Sequence, residues 1–373
     1  MANKWMSRLT KDFGIVAANM TKNDRPIIPT PSPSLNWALT TGGWKPGKVV
    51  TLFGPESSGK SMMAMMGIIE LQKQDPEAIA VWFDAEFSFS PEFFQKLGGD
   101  LERLVVRRSN DPVKIFDYMT GEMLELLQDG APIRAIAIDS IRGIRYPKDM
   151  KKVSTDMIMG GSGANYLPSA FKGIIPIIAE YQIAAFFVQQ VQMQLDTMKA
   201  LRNPYVIPDG NALKHASDFM LEITKVETKA GVIECGDTIA GGTAQLGHKI
   251  RVKVRKNRLG VPARVAQFSF HYEQGVVGIG EEIFELGKVL GVITHPLNPE
   301  TGKENVQMWT VGKYPAVRGE ANMKMAVAKS QKLQDEIMAA CQSFKETDKP
   351  IIDADGMVVD SVALEVEDVS VDL

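Results

Sequence analysis

Residues 54–61 of this sequence read GPESSGKS and match the phosphate-binding pattern GxxxxGK[ST]. A strand-like apolar run, 48–54, precedes the match, and a helical run, 61–74, follows it. In this context the glycines let successive N–H groups point inward, and the helix N-terminus adds partial positive charge. We expect Lys60 to reach the β- and γ-phosphates of a nucleoside triphosphate and Ser61 to coordinate Mg²⁺. The predicted nucleotide-binding residues of this loop are Gly54, Pro55, Glu56, Ser57, Ser58, Gly59, Lys60 and Ser61.

Carboxylates lie at the ends of two further strand-like runs. Residues 133–140 read IRAIAIDS, and we expect Asp139 to hold Mg²⁺ through water and to contact the nucleotide. Residues 81–86 read VWFDAE, and strand periodicity places Asp84 and Glu86 on the same face. Because an acid on a neighbouring strand can reach a water in line with the γ-phosphate, we predict that Glu86 is the general base. The alternative is that Glu86 caps a helix or is an ordinary surface acid.

Four cations surround one asparagine in KVRKNRLG, residues 253–260, at the end of another strand-like run. Lysine and arginine commonly protect the exposed edge of a sheet against mispairing. A solvated edge strand is therefore one explanation of this basic stretch, and a role in charge neutralisation is the other.

The order of strand-like and helical runs indicates the fold. Near-continuous apolar strands that alternate with helices are typical of a parallel sheet covered on both faces. After Ser217 three strand-like runs follow with turns and no helices, and these predict antiparallel strands that extend the same sheet. The first four strands are predicted at 48–54, 78–86, 133–140 and 183–190, with helices at 61–74, 111–128 and 169–181.

The sequence therefore predicts an α/β fold with a central, mostly parallel sheet, an N-terminal helix and a small C-terminal α+β domain. The predicted divisions are an N-terminal helix and linker at 1–31, the core at 32–273, the small domain at 274–345 and an acidic tail at 346–373. The tail contains nine acids and one lysine, so it carries a charge of −8 and the rest of the chain carries +5. Such a tail is either a solubilising disordered segment or a competitor of a polyanion for a basic surface.

The bulk composition is that of an ordinary soluble globular protein, with 45% hydrophobic and 23% charged residues. Cys235 and Cys341 lack CxxC spacing, so a reducing cytoplasm is expected and a zinc site is not. The sequence has no apolar run of membrane-spanning length and no signal-peptide pattern, and we therefore expect no membrane partner.

Several segments in the same order resemble the RecA family of homologous recombinases, in particular its divergent, phage-encoded branch. They are GPESSGKS, DAEFSFSPEFFQKLG, IDS, GNALKHASD, VRKNRLGVP and the approach PSPSLNWALTTGGWKPGKVV. The similarity extends from about Ser32 to Tyr272, and more weakly to about Phe344. It implies a RecA-type P-loop NTPase core in a DNA-dependent ATPase of DNA recombination and repair. Such a protein uses ATP and Mg²⁺, forms a helical filament on single-stranded DNA and exchanges strands with double-stranded DNA. A single-strand-binding protein and a loader are its candidate partners.

The resemblance also suggests roles for individual residues. Glu86 matches the base that activates water, Phe93 matches an aromatic residue against adenine, and Gln190 matches the glutamine that senses the γ-phosphate. Lys256 and Arg258 match two cations that cross to the neighbouring subunit's ATP and stabilise charge developing on the γ-phosphoryl group. Because such a site is completed by the next subunit, it would couple hydrolysis to filament assembly.

Three single-residue departures from the bacterial pattern are visible. Ser61 replaces threonine, Gln189 replaces asparagine before Gln190, and Ser90 replaces an aspartate near the adenine. The segment 224–249 is longer than in the family, and the sequence offers no explanation for it.

Two long polar loops, 147–167 and 191–211, follow strands that end on the ligand-binding edge of the predicted sheet. They carry cations and flexible apolar residues, a mixture that suits phosphate contact and wedging between bases. The alternative is that both are mobile surface loops, since loops of this length inside a compact domain are either functional or disordered. The predicted DNA-binding residues are Met159, Lys172, Lys199, Arg202, Gly210 and Asn211.

Two other functions are compatible with the same core. One is a hexameric helicase motor, although no additional loading or priming domain is visible. The other is a regulator that binds nucleotide and coats DNA without catalysis. Against it stands the complete set of Lys60, Glu86 and Asp139.

Overall fold

The computed structural model describes residues 24–144, 163–193, 205–207, 210–228, 231–235, 244–298, 301–344, 351–352 and 358–360. The chain divides into two compact units, Met1–Ile279 and Gly280–Leu373. The predicted N-terminal helix and most of the acidic tail lie outside the described residues. No helix in the described ranges is long and apolar enough to cross a membrane.

The first unit is built on a sheet of ten strands: β1 (Val49–Gly54), β2 (Ile79–Asp84), β3 (Leu104–Arg108), β4 (Ile133–Asp139), β5 (Ala184–Gln190), β8 (Phe219–Lys225), β9 (Val232–Cys235), β10 (Ala244–Asn257), β11 (Val265–His271) and β12 (Gly275–Val277). Their order in the sheet is β12-β11-β10-β8-β1-β5-β4-β2-β3, and β9 also pairs with β10. A separate two-stranded sheet pairs β6 (Gln192–Met193) with β7 (Tyr205–Val206).

The mostly parallel sheet is confirmed, with one correction to the predicted strand directions. Strand β8 pairs parallel to β1, from Val50 opposite Phe219 to Phe53 opposite Glu222. Only β9, β10, β11 and β12 continue the sheet in antiparallel pairs. The prediction of antiparallel pairing from Ser217 onward was therefore wrong for β8. The connection from β5 to β8 includes the short helix before β8. It brings the chain back to the edge of the sheet at which the parallel strands begin, as a parallel connection requires.

Helices cover both faces of this sheet. They are α1 (Pro33–Ala38), α2 (Lys60–Gln74), α3 (Pro91–Lys96), α4 (Pro112–Thr120), α5 (Glu122–Gln128), α6 (Gly163–Glu180) and α7 (Gly210–Ala216). The methionines of α2 are buried in the apolar cluster on one face of the sheet. At Gly67 of α2 an added Cβ would lie 2.5 Å from the ring of Phe186, so this helix packs closely on β5.

Three of these helices begin with the same local signal. Ser32, Ser90 and Asp111 each stand immediately before a proline and accept a hydrogen bond from a backbone N–H of the first turn. A side-chain acceptor at the cap satisfies a donor that has no helical partner, and proline at the first helical position loses no bond. Ser90, where the related bacterial pattern has aspartate, thus determines where α3 starts.

The described residues of the segment 224–249 form part of the central sheet. Strand β9 pairs antiparallel with the start of β10, so that Val232 lies opposite His248 and Cys235 opposite Ala244. This segment therefore contributes a strand beside β10.

The second unit contains α8 (Ile279–Val289), α9 (Glu320–Lys329), α10 (Gln331–Ser343) and a three-stranded sheet. The sheet consists of β13 (Ile293–Thr294), β14 (Met308–Val311) and β15 (Val317–Arg318), and a further pair joins β16 (Ile351–Ile352) to β17 (Val358–Asp360). Ser330 separates α9 from α10, because its side chain accepts from the N–H of Leu333 and starts a new helix. The small unit combines helices with antiparallel strands, as the sequence predicted.

Candidate functional site

The GPESSGKS loop lies between the end of β1 and the start of α2, at the carboxyl edge of the parallel strands. Glycine is required at both ends of the loop. A Cβ at Gly54 would lie 2.0 Å from the carbonyl oxygen of Ile223, and Gly59 has a left-handed φ of 99°. Helix α2 begins at Lys60, so its free N–H groups face the loop. This is the strand–loop–helix geometry that binds phosphate.

Lys60 is only 7% exposed, and its Nζ donates to the carbonyl oxygen of Pro55 at 2.5 Å. Burial lowers the pKa of Lys60, and the charges of Asp139, Glu86 and Glu56 act in the opposite direction. The ammonium forms no ion pair with a carboxylate in the described part of the chain, so its remaining N–H groups can donate to an anionic ligand. The loop therefore fits a bound polyphosphate.

Asp139, at the end of β4, faces Ser61 at the start of α2. Burial raises the pKa of Asp139 to about 6, although a hydrogen bond from the Ser61 side chain opposes that rise. Glu86 and Asp84 raise this pKa further, and Lys60 lowers it. One hydroxyl and one carboxylate are a suitable protein contribution to Mg²⁺, which retains waters and takes other ligands from phosphate. Among the described residues no cluster of three or more histidine, cysteine or acidic side chains could hold a metal.

Glu86 lies two residues beyond the end of β2 and is exposed. Its Oε1 accepts a hydrogen bond from Ser140 Oγ and another, at 2.8 Å, from Gln190 Nε2. The structure therefore brings together two residues that the sequence separates by 104 positions. Ser140 was not singled out at the sequence level, although it belongs to the quoted IDS segment.

Asp84 has a different role from Glu86. It is fully buried and accepts from the backbone N–H groups of Ser88 and Phe89 at 3.0 and 3.2 Å. Arg108 lies 3.5 Å from the same carboxylate. The strand alternation stops at Asp84, so the expectation that Asp84 and Glu86 share one face was wrong. Asp84 instead holds the turn that carries Glu86.

Phe93 lies on α3 and is partly buried against the larger apolar cluster. The helix start at Ser90, whose Oγ accepts from the N–H of Phe93 at 3.1 Å, determines the position of this ring. The predicted contact with adenine remains a prediction.

The two predicted cations of the basic stretch lie at the end of β10 and reach the same target. Lys256 Nζ donates to the carbonyl oxygens of Lys214 and, at 2.7 Å, of Ser217. Arg258 Nη2 donates to the carbonyl oxygen of His215 at 2.8 Å. The carbonyls of Lys214 and His215 belong to the last turn of α7, and that of Ser217 follows the helix directly. The partial negative charge at a helix C-terminus favours cations.

The surroundings of these cations exclude the edge-strand explanation. Strand β10 is not an edge strand, because it pairs with β8 on one side and with β11 on the other. Burial lowers the pKa of Lys256, and the nearby positive charge of Arg258 lowers it further. Arg258 lies 3.6 Å from Asp218, while Arg255 pairs separately with Glu222 at 2.6 Å. Lys256 and Arg258 thus form one cationic pair, distinct from the other cations of the stretch.

The predicted DNA-binding residues are divided between described and undescribed parts of the chain. Met159, Lys199 and Arg202 lie outside the described residues. Lys172 is exposed on α6, and Gly210 and Asn211 form the first turn of α7. The described ends of the second predicted loop are held together by the pairing of β6 with β7.

The fold and this site define a class of protein: a P-loop nucleotide-binding protein with a mostly parallel sheet. A model of the RecA N-terminal domain matches residues 2–277, and the chain belongs to the RecA family. Protein RecA of Aquifex pyrophilus is 30% identical over 293 residues, which cover 78% of each chain. Protein RecA of Aquifex aeolicus is 29% identical over 293 residues, which cover 78% of this chain and 79% of the relative. Protein RecA of Symbiobacterium thermophilum is 27% identical over 365 residues, which cover 94% of this chain and 96% of the relative.

Proposed function

We propose that the protein is an ATP-dependent homologous recombinase that polymerises on single-stranded DNA and catalyses homologous pairing and strand exchange. DNA-stimulated ATP hydrolysis accompanies the exchange. The observation that supports this function most strongly is the position of Glu86, which is hydrogen-bonded to Ser140 and Gln190 at the edge of the sheet that carries Lys60. Membership of the RecA family supports the same proposal.

In this proposal one protomer binds the triphosphate and activates water. Lys60 binds the β- and γ-phosphates, and Ser61 and Asp139 hold Mg²⁺, which supplies charge neutralisation on the phosphate oxygens. Glu86 accepts the proton of the attacking water. Gln190 holds Oε1 of Glu86 through its side-chain amide, so a contact of Gln190 with the γ-phosphate would change the hydrogen bonding of the base.

A second protomer supplies the remaining charge. Lys256 and Arg258 act on the neighbour's γ-phosphoryl group. The contact of Phe93 with adenine is proposed separately from this action in trans. The two cations have no contact with the phosphate-binding loop of their own chain among the described residues, and they reach one target together. Both facts support a role across a subunit interface.

DNA contact is proposed for the segments 147–167 and 191–211, the second of which ends with Gly210 and Asn211, and for Lys172 on α6. The N-terminal segment, 1–31, is proposed to pack on a neighbouring subunit in a helical filament. The acidic tail, 346–373, is proposed to compete with duplex DNA. Deletion of the tail should then raise duplex affinity at low salt, and unchanged affinity would contradict this part of the proposal.

The decisive experiment is strand exchange between a circular single strand and a matching linear duplex, with ATP and Mg²⁺ present. We expect joint molecules and nicked circular duplex from the wild-type protein and neither product from Lys60→Ala. The matched control is Lys48→Ala, a lysine just before β1 that forms no part of the predicted loop. DNA-stimulated hydrolysis without any strand exchange would favour the helicase motor, and electron microscopy would then show closed rings in place of helical filaments.

A further inference from the structure

Two adjacent strands, β4 and β5, deliver their C-terminal ends to the same edge of the sheet. The chain beyond β4 leads to the first predicted DNA loop, and the chain beyond β5 leads to the second. The side chain of Glu86 joins these two ends, because its Oε1 accepts from Ser140 on one side and from Gln190 on the other.

A second hydrogen-bonded crosslink joins the same two segments of the chain, two residues further along each of them. With its amide oxygen turned toward Arg142, Gln192 accepts hydrogen bonds from Nη1 at 2.8 Å and from Nη2 at 2.9 Å. Arg142 belongs to the short 3₁₀ turn Ile141–Gly143, and Gln192 belongs to β6. The backbone of Gln192 pairs with Val206 of β7, so the residue that carries the amide lies within a strand pair.

The charge of Arg142 is not neutralised by its partner. Two other arginines of this unit face carboxylates: Arg108 lies near Asp84, and Arg255 pairs with Glu222. Arg142 is exposed, and within the described ranges its guanidinium contacts a neutral amide and forms no ion pair. A guanidinium has five N–H donors, so donors remain after the two bonds to Gln192. A planar, permanently charged group with free donors is suited to bidentate contact with phosphate.

We propose that Arg142 binds a backbone phosphate of single-stranded DNA at the entry to both loops and that Gln192 is the positioning residue that orients its guanidinium. This inference rests on the proposed function and adds a DNA-contact residue outside the predicted set. The alternative is a purely structural crosslink between two chain segments. The two possibilities make opposite predictions when the crosslink is kept and the free charge is removed.

The variant Gln192→Glu distinguishes the phosphate contact from the structural crosslink. The new carboxylate keeps the bond to the guanidinium and neutralises it. Arg142→Gln removes the charge and weakens the crosslink. The matched control is Arg251→Gln on β10, because Arg251 is also exposed and also donates to a glutamine amide oxygen, that of Gln267 at 3.3 Å.

The measurement is binding of a fluorescein-labelled oligothymidylate, with a non-hydrolysable ATP analogue and Mg²⁺, over a range of salt concentrations. We expect Arg142→Gln and Gln192→Glu to weaken binding roughly tenfold at low salt, as for loss of a hydrogen bond to a charged group. The slope of log affinity against log salt should fall by about 0.7 for one lost phosphate contact. Arg251→Gln should behave as wild type.

Hydrolysis provides a second readout. The DNA concentration for half-maximal ATPase activity should rise in both variants, while the rate at saturating DNA stays near that of wild type. A structural crosslink predicts the reverse for Gln192→Glu: full affinity and an unchanged salt slope. That result in a folded, nucleotide-binding Gln192→Glu protein would overturn the inference. A wild-type protein that binds no DNA would instead overturn the proposed function itself.

Discussion

The phosphate-binding loop and the basic end of β10 carry comparable chemistry but differ in what surrounds them. Around the loop, Lys60 and Asp139 are buried side by side within one chain, and Ser61 bonds to the acid. At the end of β10, Lys256 and Arg258 contact helix-end carbonyls of α7 and no part of that loop in the described residues. The phosphate-binding half of the proposed site therefore lies within one chain, whereas the two cations proposed to neutralise charge lie elsewhere. This difference agrees with the proposal that a second copy of the chain completes the site.

The largest expected effect tests the basic end directly. Lys256→Ala and Arg258→Ala should each lower DNA-stimulated hydrolysis by about 10³-fold, the lower range for a charge supplied in trans, while ATP binding is retained. Lys253→Ala, on the same strand, is the control. Turnover and binding of a fluorescent ATP analogue are the measurements. Wild-type turnover in both variants would remove the basic end from the catalytic site.

Substitutions of the two acids beside the loop should have different effects, one on the rate of hydrolysis and the other on stability. Glu86→Gln should reduce hydrolysis by about 10²–10⁴-fold with unchanged folding, because it removes the proposed general base. Asp84→Asn should instead lower the free energy of unfolding by about 1–3 kcal/mol, since a buried carboxylate loses charge-assisted hydrogen bonds. Steady-state kinetics and urea unfolding of both variants test this contrast. Equal losses of stability would mean that the two acids share one role.

The stability of the protein should also depend on pH through His248, which lies near the start of β10, the strand that carries the basic end. His248 is 5% exposed, and burial lowers its pKa to about 4, with a contribution from Lys225. Its Nδ1 lies 3.2 Å from the hydroxyl of Tyr272, and its Nε2 has no partner in the described residues. The imidazole is therefore neutral in the folded protein at neutral pH.

Because the unfolded chain binds this proton more readily, the stabilising contribution is complete above pH about 6.5 and is lost as the pH falls toward 4. The expected loss is about 1–3 kcal/mol of unfolding free energy. His248→Gln should flatten the change in urea midpoint between neutral and acidic pH, whereas His271→Gln should leave it as in wild type. An unaltered pH profile in His248→Gln would assign the acid sensitivity to other groups.

The smallest expected effect concerns α7. Lys256 and Arg258 contact its last carbonyls, so Lys256→Ala should speed hydrogen exchange in this helix by about twofold to fivefold, as for loss of a cation at a helix C-terminus. If the cations leave α7 for a neighbour's nucleotide, wild-type protein with DNA and a non-hydrolysable ATP analogue should show the same acceleration. Exchange that slows or stays constant on assembly would mean that the contact with α7 persists.

Local patterns in the sequence predicted the parts of the fold that depend on local chemistry. The GPESSGKS loop follows from glycines and a helix start, and the helix predicted from residue 111 begins at the cap before Pro112. The two short helices that begin at Pro33 and Pro91 were not predicted, although each follows a serine cap. Apolar runs located four of the parallel strands. Strand β3, Leu104–Arg108, was missed because it is short and carries two arginines.

Errors arose where a conclusion depended on the point at which an element stops or on its neighbour in the sheet. Strand β2 ends at Asp84, so the alternation did not extend to Glu86. Strand β8 was assigned the wrong direction, because periodicity shows which face is buried and carries no information on strand direction. The contact between Arg142 and Gln192 had no signal in either segment alone.

The sequence by itself determined the type of chemistry, because a phosphate-binding loop, a terminal aspartate and their order along the chain are properties of contiguous residues. Only the tertiary structure decided which distant groups meet: Glu86 with Gln190, and Lys256 with the end of α7. The physical reason is that a hydrogen bond requires atoms to approach within about 3 Å. Sheet order, register and strand length set that approach, and none of these can be read from a single segment of the chain.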